Sequence, residues 1–263
     1  MGVLWLVTIL AAVSVAALAL TRNTALFSKT AEAGLQAEGL ADAAVYLAIN
    51  DLCNPATRNA VPLAGQKRTV RIGGHEVALL VQDELGKIDI NRASIELVRL
   101  LLSKHGLADS DVDRAIAHIE ERRTALNVTG RTGGIEPFRS LEDLGDVPGV
   151  TADVCERIEP AVTLYSHSAA VSPVLAPAEV LRVLPGFDEQ KIEEVLSARA
   201  RESETPTANV TGQTSLEGHA FTIKATAQVG SNIFVRYAVV RIMGSFQKPY
   251  NILRWESAKS SGM

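Results

Sequence analysis

The sequence has few of the residues that mark a zinc protein or a disulfide-rich protein. Only two cysteines, Cys53 and Cys155, occur in 263 residues. They lie far apart, and no CxxC pair or nearby histidine accompanies them, so a zinc site is not expected. In an oxidising compartment the two thiols are chemically able to form a disulfide, but free buried thiols are the favoured interpretation.

An excess of positive charge and recognisable catalytic motifs are also missing. Lys and Arg number 26 against 30 Asp and Glu, which gives a net charge of -4 and a pI near 5.8. Because nucleic-acid binding depends largely on clustered Lys and Arg, this balance argues against a nucleic-acid partner. The histidines are scattered outside any nucleophile, metal or phosphate motif. The sequence therefore favours neither an enzyme nor a protein with a small-molecule substrate.

A long uncharged stretch stands near the start of the chain. From Val3 to Leu20, VLWLVTILAAVSVAALAL, nearly every residue is apolar. A helix of about 18 such residues is long enough to cross a bilayer core. Met1-Gly2 supplies no basic residue, and the helical pattern continues past Leu20, which argues against a cleaved secretory signal. The stretch therefore predicts a single membrane-spanning helix.

The same helix is predicted to continue as an amphipathic segment. From Thr21 to Leu52, apolar residues recur near a 3.6-residue period with charged residues between them. Asn54-Pro55 then ends the helix. We expect the apolar face of this second half to pack on a folded domain.

Two groups of predicted strands flank a helical region. Alternating apolar residues on either side of Gly73-Gly74 predict a hairpin over 66–83. Alternation returns over 221–239, and 250–255 is predicted as a last strand. The simplest arrangement is one antiparallel sheet on the amphipathic half of the helix, with the helical region inserted between its strands.

The helical region repeats a short pattern. The period is helical from 91 to 158, where Ser140 is the expected N-cap of the SLEDLGDV segment. Residues 93–101 partly align with 176–184, which predicts two related helical units. Pro177 fits the first position of a helix in the second unit.

One acidic pattern in this region resembles a calcium-binding loop. Asp109, Asp111, Asp113 and Glu120 have the carboxylate spacing of an EF-hand. However, Arg114 stands where a glycine must turn the chain, so ordinary acids in the first turn of a helix are the favoured interpretation.

Two turns allow an alternative function. VPGV at 147–150 and LPGF at 184–187 resemble the hairpin of helix-hairpin-helix modules, whose backbone amides hold a DNA phosphate. Thr151 and Asp188 replace the usual second glycine, and Asp188 would repel a phosphate. Simple helix-joining turns are therefore favoured, and the alternative is a membrane-tethered DNA-binding protein of the competence type.

The order of these elements resembles one known family over essentially the whole chain. The apolar-then-amphipathic helix, INRASIELVRLL, SLEDLGDVPGV, LAPAEVLRVLPG and the closing strands are similar to the K-type minor pseudopilins of the type II secretion system, the general secretion pathway protein K family. The resemblance implies an α+β, pilin-like fold, in which a long N-terminal helix packs on an antiparallel sheet. It also implies a large inserted α-helical domain of two SAM-like, helix-hairpin-helix-like units.

The same resemblance implies a division of the chain into segments. These are a leader remnant and transmembrane helix at 1–22, the second half of the helix with the first strands at 23–88, the inserted domain at 89–203, and the closing strands at 204–263. Within the inserted domain the two units are expected at about 89–165 and 170–203.

The resemblance further implies a non-enzymatic role at the tip of the periplasmic pseudopilus, where such a subunit primes and caps assembly for the export of folded proteins across the outer membrane. Its implied partners are the I-type and J-type minor pseudopilins, other pseudopilus subunits and the prepilin peptidase. Its implied location is the bacterial inner membrane, with a single pass and the soluble domain in the periplasm.

Three residues near the start take roles from the resemblance. The peptidase would cut after Gly2 and leave Val3 as the first residue, although the basic leader that usually precedes this glycine does not appear, which leaves the start of the coding sequence open. Val7 stands where most pilin-like subunits carry a Glu that neutralises the amine of a neighbouring subunit. A subunit at the tip has no neighbour above it whose amine needs that partner.

Calcium is the one ligand that the resemblance suggests. Some relatives bind it in an acid-rich loop of the first helical unit, where this chain reads AIAHIEERRTALN without an Asp-rich run. The nearby acids that could substitute as ligands are Glu136, Glu142, Asp143 and Asp146.

Overall fold

The fold is taken from a computed structural model that describes residues 2–128, 138–204 and 215–257. For residues 4, 6–9, 11–28, 125–128 and 202–204 only the backbone is described. The helices are α1 (Gly2–Cys53), α2 (Ile95–Lys104), α3 (Asp109–Val128), α4 (Ala152–Ile158), α5 (Ala178–Leu181) and α6 (Glu189–Glu204). The strands are β1 (Ala64–Ile72), β2 (His75–Asp83), β3 (Ile88–Asp89), β4 (Val162–Thr163), β5 (Ala220–Val229), β6 (Asn232–Ile242) and β7 (Tyr250–Ser257).

The N-terminal helix is continuous over 52 residues, as the sequence predicts. It ends at Cys53 because Pro55 cannot continue it, and the Asn54 side chain accepts a hydrogen bond from the Ala56 N–H at 3.0 Å. Among the residues that the structure describes, no helix is long and apolar enough to span a bilayer. Most side chains of the predicted span from Val3 to Leu20 lie outside the described residues.

Five strands form one antiparallel sheet in the order β1-β2-β5-β6-β7. The hairpin between β1 and β2 turns at Gly73 and Gly74, whose φ angles of 55° and 85° suit the mirror-image turns that join antiparallel strands. Asp83 at the end of β2 pairs directly with Phe221 near the start of β5. The chain between them, whose described part at 84–204 we call the helical block, therefore leaves and rejoins the sheet at one end.

The helix and the sheet share one hydrophobic core. On β2, β5 and β6 every second residue points toward α1, as alternation along a strand requires. The side chains that α1 buries there include three alanines, whose small size lets the helix axis lie close to the strands. They are Ala41, Ala44 and Ala48.

The helical block has a second core of its own. Leu101 and Leu102 of α2 and Ile119 of α3 belong to it, and Phe138 and Ile158 are among its other large, fully buried side chains. The chain is thus α+β, with an antiparallel sheet and a separate group of helices.

Three details of the helical block differ from the sequence expectations. Ser140 does not cap a helix, because a short 3-10 turn begins at Glu142 and the Asp143 carboxylate instead accepts the Ser140 N–H at 3.3 Å. Pro177 is the N-cap of the one-turn helix α5, with an extended ψ of 165°, and is not its first helical residue. The parallel pairing of β3 with β4 was not predicted, since two residues are too few to show alternation.

Candidate functional site: the long helix and its junction with the helical block

Arg236 of β6 fixes the position of α1 on the sheet. Its Nε donates a hydrogen bond to Oδ1 of Asp42 at 2.5 Å, and its Nη2 donates to Oε1 of Glu38 at 2.8 Å. The guanidinium also lies over the rings of Phe234 and Trp255, at 4.9 and 5.3 Å from their centroids. Burial disfavours the charged guanidinium and lowers the pKa of Arg236. Asp42 and Glu38 favour the charged form more strongly, so the pKa of Arg236 is raised.

The side of α1 that faces away from the sheet carries apolar residues. Leu35 is 70% exposed, and Tyr46 is exposed on the same side about three turns further along. Tyr46 reaches back to β7, where its ring lies 5.4 Å from that of Trp255. Exposed apolar side chains that share one helix face suit contact with another protein.

A buried carboxylate links the two points at which the chain leaves the sheet for the helical block and returns to it. Asp83 is fully buried at the end of β2, and its Oδ1 accepts the N–H of Leu85 at 2.9 Å. Its Oδ2 lies 2.8 Å from Nδ1 of His219, the residue just before β5. The hydrogen bond to Asp83 outweighs burial, so the pKa of His219 is raised.

A second buried carboxylate fastens the linker between the two helical units. Asp89 accepts hydrogen bonds from the backbone N–H groups of Asn91 and His167, both at 2.9 Å, and from the Ser166 hydroxyl at 3.2 Å. Burial raises the pKa of Asp89 and these hydrogen bonds only partly oppose it. Arg241 of β6 donates to the carbonyl of Tyr165 at 2.8 Å, which ties the same linker to the sheet.

Gly86 lets the linker approach the end of β2 closely. A Cβ at this position would lie 2.2 Å from the carbonyl oxygen of Leu175, so no other residue fits without moving the backbone. Gln82 donates to the same carbonyl at 2.8 Å, and the N–H of Ser172 donates to the carbonyl of Leu85 at 2.8 Å. The linker is therefore held by backbone contacts against the turn that follows β2, and the Gln82 side chain ties it to the sheet itself.

A cleft of about 750 Å³ lies between the helical block and the sheet face that points away from α1. Leu80, Tyr237 and Lys224 are on its sheet wall, and Leu196 and Glu159 are on its helical wall. Among the described residues that line it there is neither a histidine nor a cysteine, so the cleft brings together no such nucleophile and base. Its mixed apolar and charged walls suit contact with a polypeptide.

Comparisons with known proteins were made by sequence and by structure. No family model matches the chain, and no curated protein matches it. The structural comparison finds a chain of the crystal structure of the GspK-GspI-GspJ complex from the type 2 secretion system of enterotoxigenic Escherichia coli. The fold of the present chain is similar to that of GspK.

The likeness spans nearly the whole of both chains. It covers 89% of this chain and 99% of the solved chain, with a TM-score of 0.53 and 12% sequence identity. At that identity the likeness concerns the fold. It confirms the resemblance stated from the sequence, and the α+β class with an antiparallel sheet agrees with it.

The predicted calcium ligands do not form a cation site in the described part of the chain. The Asp143 carboxylate accepts hydrogen bonds from the N–H groups of Arg139 and Ser140, which lower the pKa of Asp143, and lies 3.8 Å from the Arg122 guanidinium. Glu142 faces Arg254 at 3.5 Å. An arginine guanidinium thus lies beside each of these two carboxylates.

The other two predicted calcium ligands are Asp146 and Glu136. Asp146 is exposed at the end of the 3-10 turn, and Glu136 lies outside the described residues. No cluster of three or more His, Cys, Asp and Glu side chains suited to a metal occurs within 2–128, 138–204 and 215–257.

The two cysteines belong to different cores. Cys53 packs against the core shared by α1 and the sheet, while Cys155 packs against the core of the helical block. Both are free thiols, and burial raises the pKa of each. A raised pKa lowers the thiolate fraction near neutral pH, so neither thiol is activated for nucleophilic chemistry.

The residues expected at the processing site lie at the start of α1. Gly2 and Val3 are its first helical residues and are exposed. The Val7 side chain lies outside the described residues.

The two turns that resemble helix-hairpin-helix motifs join helices. Gly149 and Gly186 adopt φ angles of 83° and 81°, which glycine allows without strain. The Asp188 carboxylate accepts the N–H of Lys191 at 2.8 Å, so it caps α6 where a phosphate would have to bind. These turns give no support to the DNA-binding alternative.

Sequence reasoning missed the residues that position α1 and the helical block. Asp83, Asp89, Gly86 and Arg236 belong to no motif, and their roles depend on partners that are distant in sequence. The one available signal was the position of Asp83 at the end of a predicted apolar strand, where a carboxylate is unusual unless it is paired.

Proposed function

We propose that this chain is a K-type minor pseudopilin of a type II secretion system and acts as a structural subunit without enzymatic activity. One observation carries the proposal: a helical block inserted between β2 and β5 of a sheet that packs on a 52-residue helix, in an arrangement matching 99% of the GspK chain. A bulky insertion at a single point of the sheet separates this architecture from a plain helix-and-sheet subunit.

In the proposed assignment the sheet and the second half of α1 form a pilin-like domain. Residues 23–88 and 204–263 make up that domain, and 89–203 make up the inserted α-helical domain with SAM-like units at about 89–165 and 170–203. The two separate hydrophobic cores support this division, because each core is built almost wholly from one of the two groups of residues.

The position of the helical block supports a place at the filament tip. Gln36 contacts His75 beside the β1–β2 turn, so that turn lies at the end of the sheet nearer the start of α1. The block joins the sheet at the opposite end, where Cys53 approaches the carbonyl of Pro249. Such a subunit carries its helical block at the end away from the part of α1 that enters the filament. At the filament tip it would prime and cap assembly for the export of folded proteins across the outer membrane.

The start of the chain has three roles in this proposal. A prepilin peptidase cleaves between Gly2 and Val3, and the apolar segment that follows holds the protein in the bacterial inner membrane with the soluble part in the periplasm. Val7 carries no charge, in keeping with a subunit that has no other subunit above it.

The test is assembly with the proposed partners. The full-length chain is purified in detergent with the I-type and J-type minor pseudopilins of the same organism, and size-exclusion chromatography with light scattering measures the mass. A complex with one copy of each supports the proposal. A chain that stays monomeric with both partners present contradicts it.

A pair of variants on α1 sharpens this test. Leu35→Glu places a charge on the exposed apolar side of the helix and should weaken the complex about tenfold if that side meets a partner. Asn50→Glu places the same charge at an exposed polar position of the same helix and should have little effect.

A further inference from the structure

The helical block and the sheet are separate packing units joined at one end of the sheet. Each is built around its own hydrophobic core, and the contacts described at their junction are hydrogen bonds and a close backbone approach. Parts of a chain with separate cores move relative to each other unless a large apolar interface joins them. The polar groups at this junction therefore decide how firmly the block is held.

One series of hydrogen bonds runs from His219 to the linker between the two helical units, residues 165–176. The imidazole Nδ1 lies 2.8 Å from Oδ2 of Asp83. The other Asp83 oxygen accepts the N–H of Leu85 at 2.9 Å, and the Leu85 carbonyl accepts the N–H of Ser172 at 2.8 Å. A shift of the Asp83 carboxylate would therefore displace the residue to which the linker is bonded.

A second series reaches the same linker from the residue before His219. The carbonyl of Gly218 accepts a hydrogen bond from Nη1 of Arg241 at 2.9 Å, and Nη2 of the same guanidinium donates to the carbonyl of Tyr165 at 2.8 Å. The Gly218 N–H and the His219 carbonyl are bonded to the backbone of Ile242 at 2.8 and 3.0 Å. Both series thus begin at residues 218–219 and end on the linker.

His219 lies between solvent and a buried charge. Its side chain is 23% exposed, whereas the Asp83 side chain is buried. Among the described residues, the ion pair with His219 is the one in which Asp83 takes part. An imidazole that loses its proton leaves the buried carboxylate without an opposite charge, which is unfavourable where water is excluded. Because the pKa of His219 is raised, the pair is intact below about pH 6.5 and is lost as the pH rises through the raised value.

The other charged groups near the junction have contacts of their own. On the turn that follows β2, Glu84 pairs with Lys87 at 3.0 Å. On β6, the Arg241 guanidinium donates to two carbonyl groups. On the connection before β5, the Glu217 carboxylate lies against Gly244. None of these groups forms an ion pair that could replace the one made by the imidazole.

We propose that His219 and Asp83 form a pH-sensitive latch between the sheet and the helical block. With His219 protonated, the latch is closed and the linker is held at Leu85 and at Arg241. With His219 neutral, water reaches the Asp83 carboxylate, and the hydrogen bonds that hold the linker open more often. The close approach at Gly86 keeps the block attached in both states. This inference goes beyond the proposed function and does not depend on it.

Hydrogen exchange measured by mass spectrometry tests the latch on the full-length chain in detergent, at a series of pH values from about 6 upward. Rates are divided by the intrinsic rate of an unstructured peptide at the same pH, which gives the protection of each segment. Protection of 84–88 and 165–176 should fall by about tenfold as the pH rises above about 6.5, because the junction opens locally. Protection of 223–229 and 232–238, in the centre of the sheet, should stay unchanged.

Three variants assign the effect to the pair. His219→Gln keeps an N–H donor but cannot take up a proton, so protection of the linker should be low at every pH. Asp83→Asn removes the buried charge, so protection should no longer depend on pH. His75→Gln removes a histidine at the other end of the sheet and should leave the pH dependence of the unaltered chain in place. Thermal unfolding of each variant establishes that the fold is retained.

Each outcome decides for or against the latch. Constant protection of 84–88 and 165–176 over the pH series of the unaltered chain overturns it. An equal loss of protection in 223–229 and 232–238 also overturns it, because such a loss reports the stability of the whole fold. A selective loss that persists in His219→Gln overturns the assignment to this histidine. A selective loss that disappears in His219→Gln and Asp83→Asn, but not in His75→Gln, supports the latch.

Discussion

Arg236 of β6 and Asp42 of α1 are joined by a hydrogen bond of 2.5 Å between residues 194 positions apart in the sequence. The Arg236 side chain is only 9% exposed, so its charge depends on the carboxylates of Asp42 and Glu38. This contact sets which part of the long helix lies on the sheet.

Replacement of Arg236 by Met should lower the free energy of unfolding by about 2 kcal/mol, because three charge-assisted hydrogen bonds are lost and two carboxylates lose their partner. Urea unfolding followed by circular dichroism measures the change. Arg71→Met is the matched control, since its ion pair with Glu76 is largely exposed and should be worth less than about 0.5 kcal/mol. Equal effects of the two substitutions would contradict the assigned role of Arg236.

The ion pair of His219 with Asp83 should make stability depend on pH. The folded-state pKa of His219 is raised above its ordinary value, so the stabilisation is complete below that ordinary value and is lost as pH rises through the raised one. The difference in unfolding free energy between the wild type and His219→Asn should therefore be largest below about pH 6.5 and shrink as the pH rises above it. His75→Asn controls for the loss of a histidine elsewhere, and a constant difference for His219→Asn would refute the linkage.

Gly86→Ala should loosen the linker between the two helical units from the turn that follows β2. The added methyl group would meet the Leu175 carbonyl, and relief of that clash requires backbone movement, which costs about 2 kcal/mol or more. Chemical unfolding measures the loss, and faster hydrogen exchange at Ser172 would locate it. Gly145→Ala is the control, because no atom lies within 4 Å of its added Cβ, and we expect a change within about 0.5 kcal/mol.

Ala44→Leu should destabilise the packing of α1 on the sheet. Ala44 is fully buried among the strands, and three further carbon atoms there cost about 2–3 kcal/mol in strain. Ala31→Leu adds the same atoms at an exposed position of the same helix and should be nearly neutral. Thermal unfolding of both variants checks the contrast, and a neutral Ala44→Leu would mean that the helix does not pack closely at this point.

Local patterns predicted most of the regular structure. The period of α1, the Gly73-Gly74 turn and the alternation in β5 and β6 each depend on residues close together in the sequence, and all three are present in the fold. These features were predictable because neighbouring residues alone determine them.

The junction depends on contacts that no local pattern encodes. The close approach at Gly86 exists only because the backbone of Leu175 passes there, and β3 is a strand only because β4 lies beside it. The N-cap position of Pro177 follows from the short length of α5, which the repeat between the two units did not reveal. Tertiary contacts decided each of these points.

The pairing of β2 with β5 also has a consequence for the kinetics of folding. Asp83 and His219 meet although 136 positions separate them in the sequence. Closing so long a loop in an unfolded chain loses entropy that no contact at the junction yet offsets. Collapse of the intervening helices around their own core shortens the effective loop, so the sheet should complete its central pairing only after those helices have folded. Substitutions such as Leu101→Ala in the core of the block should therefore slow the refolding of strands that they do not touch.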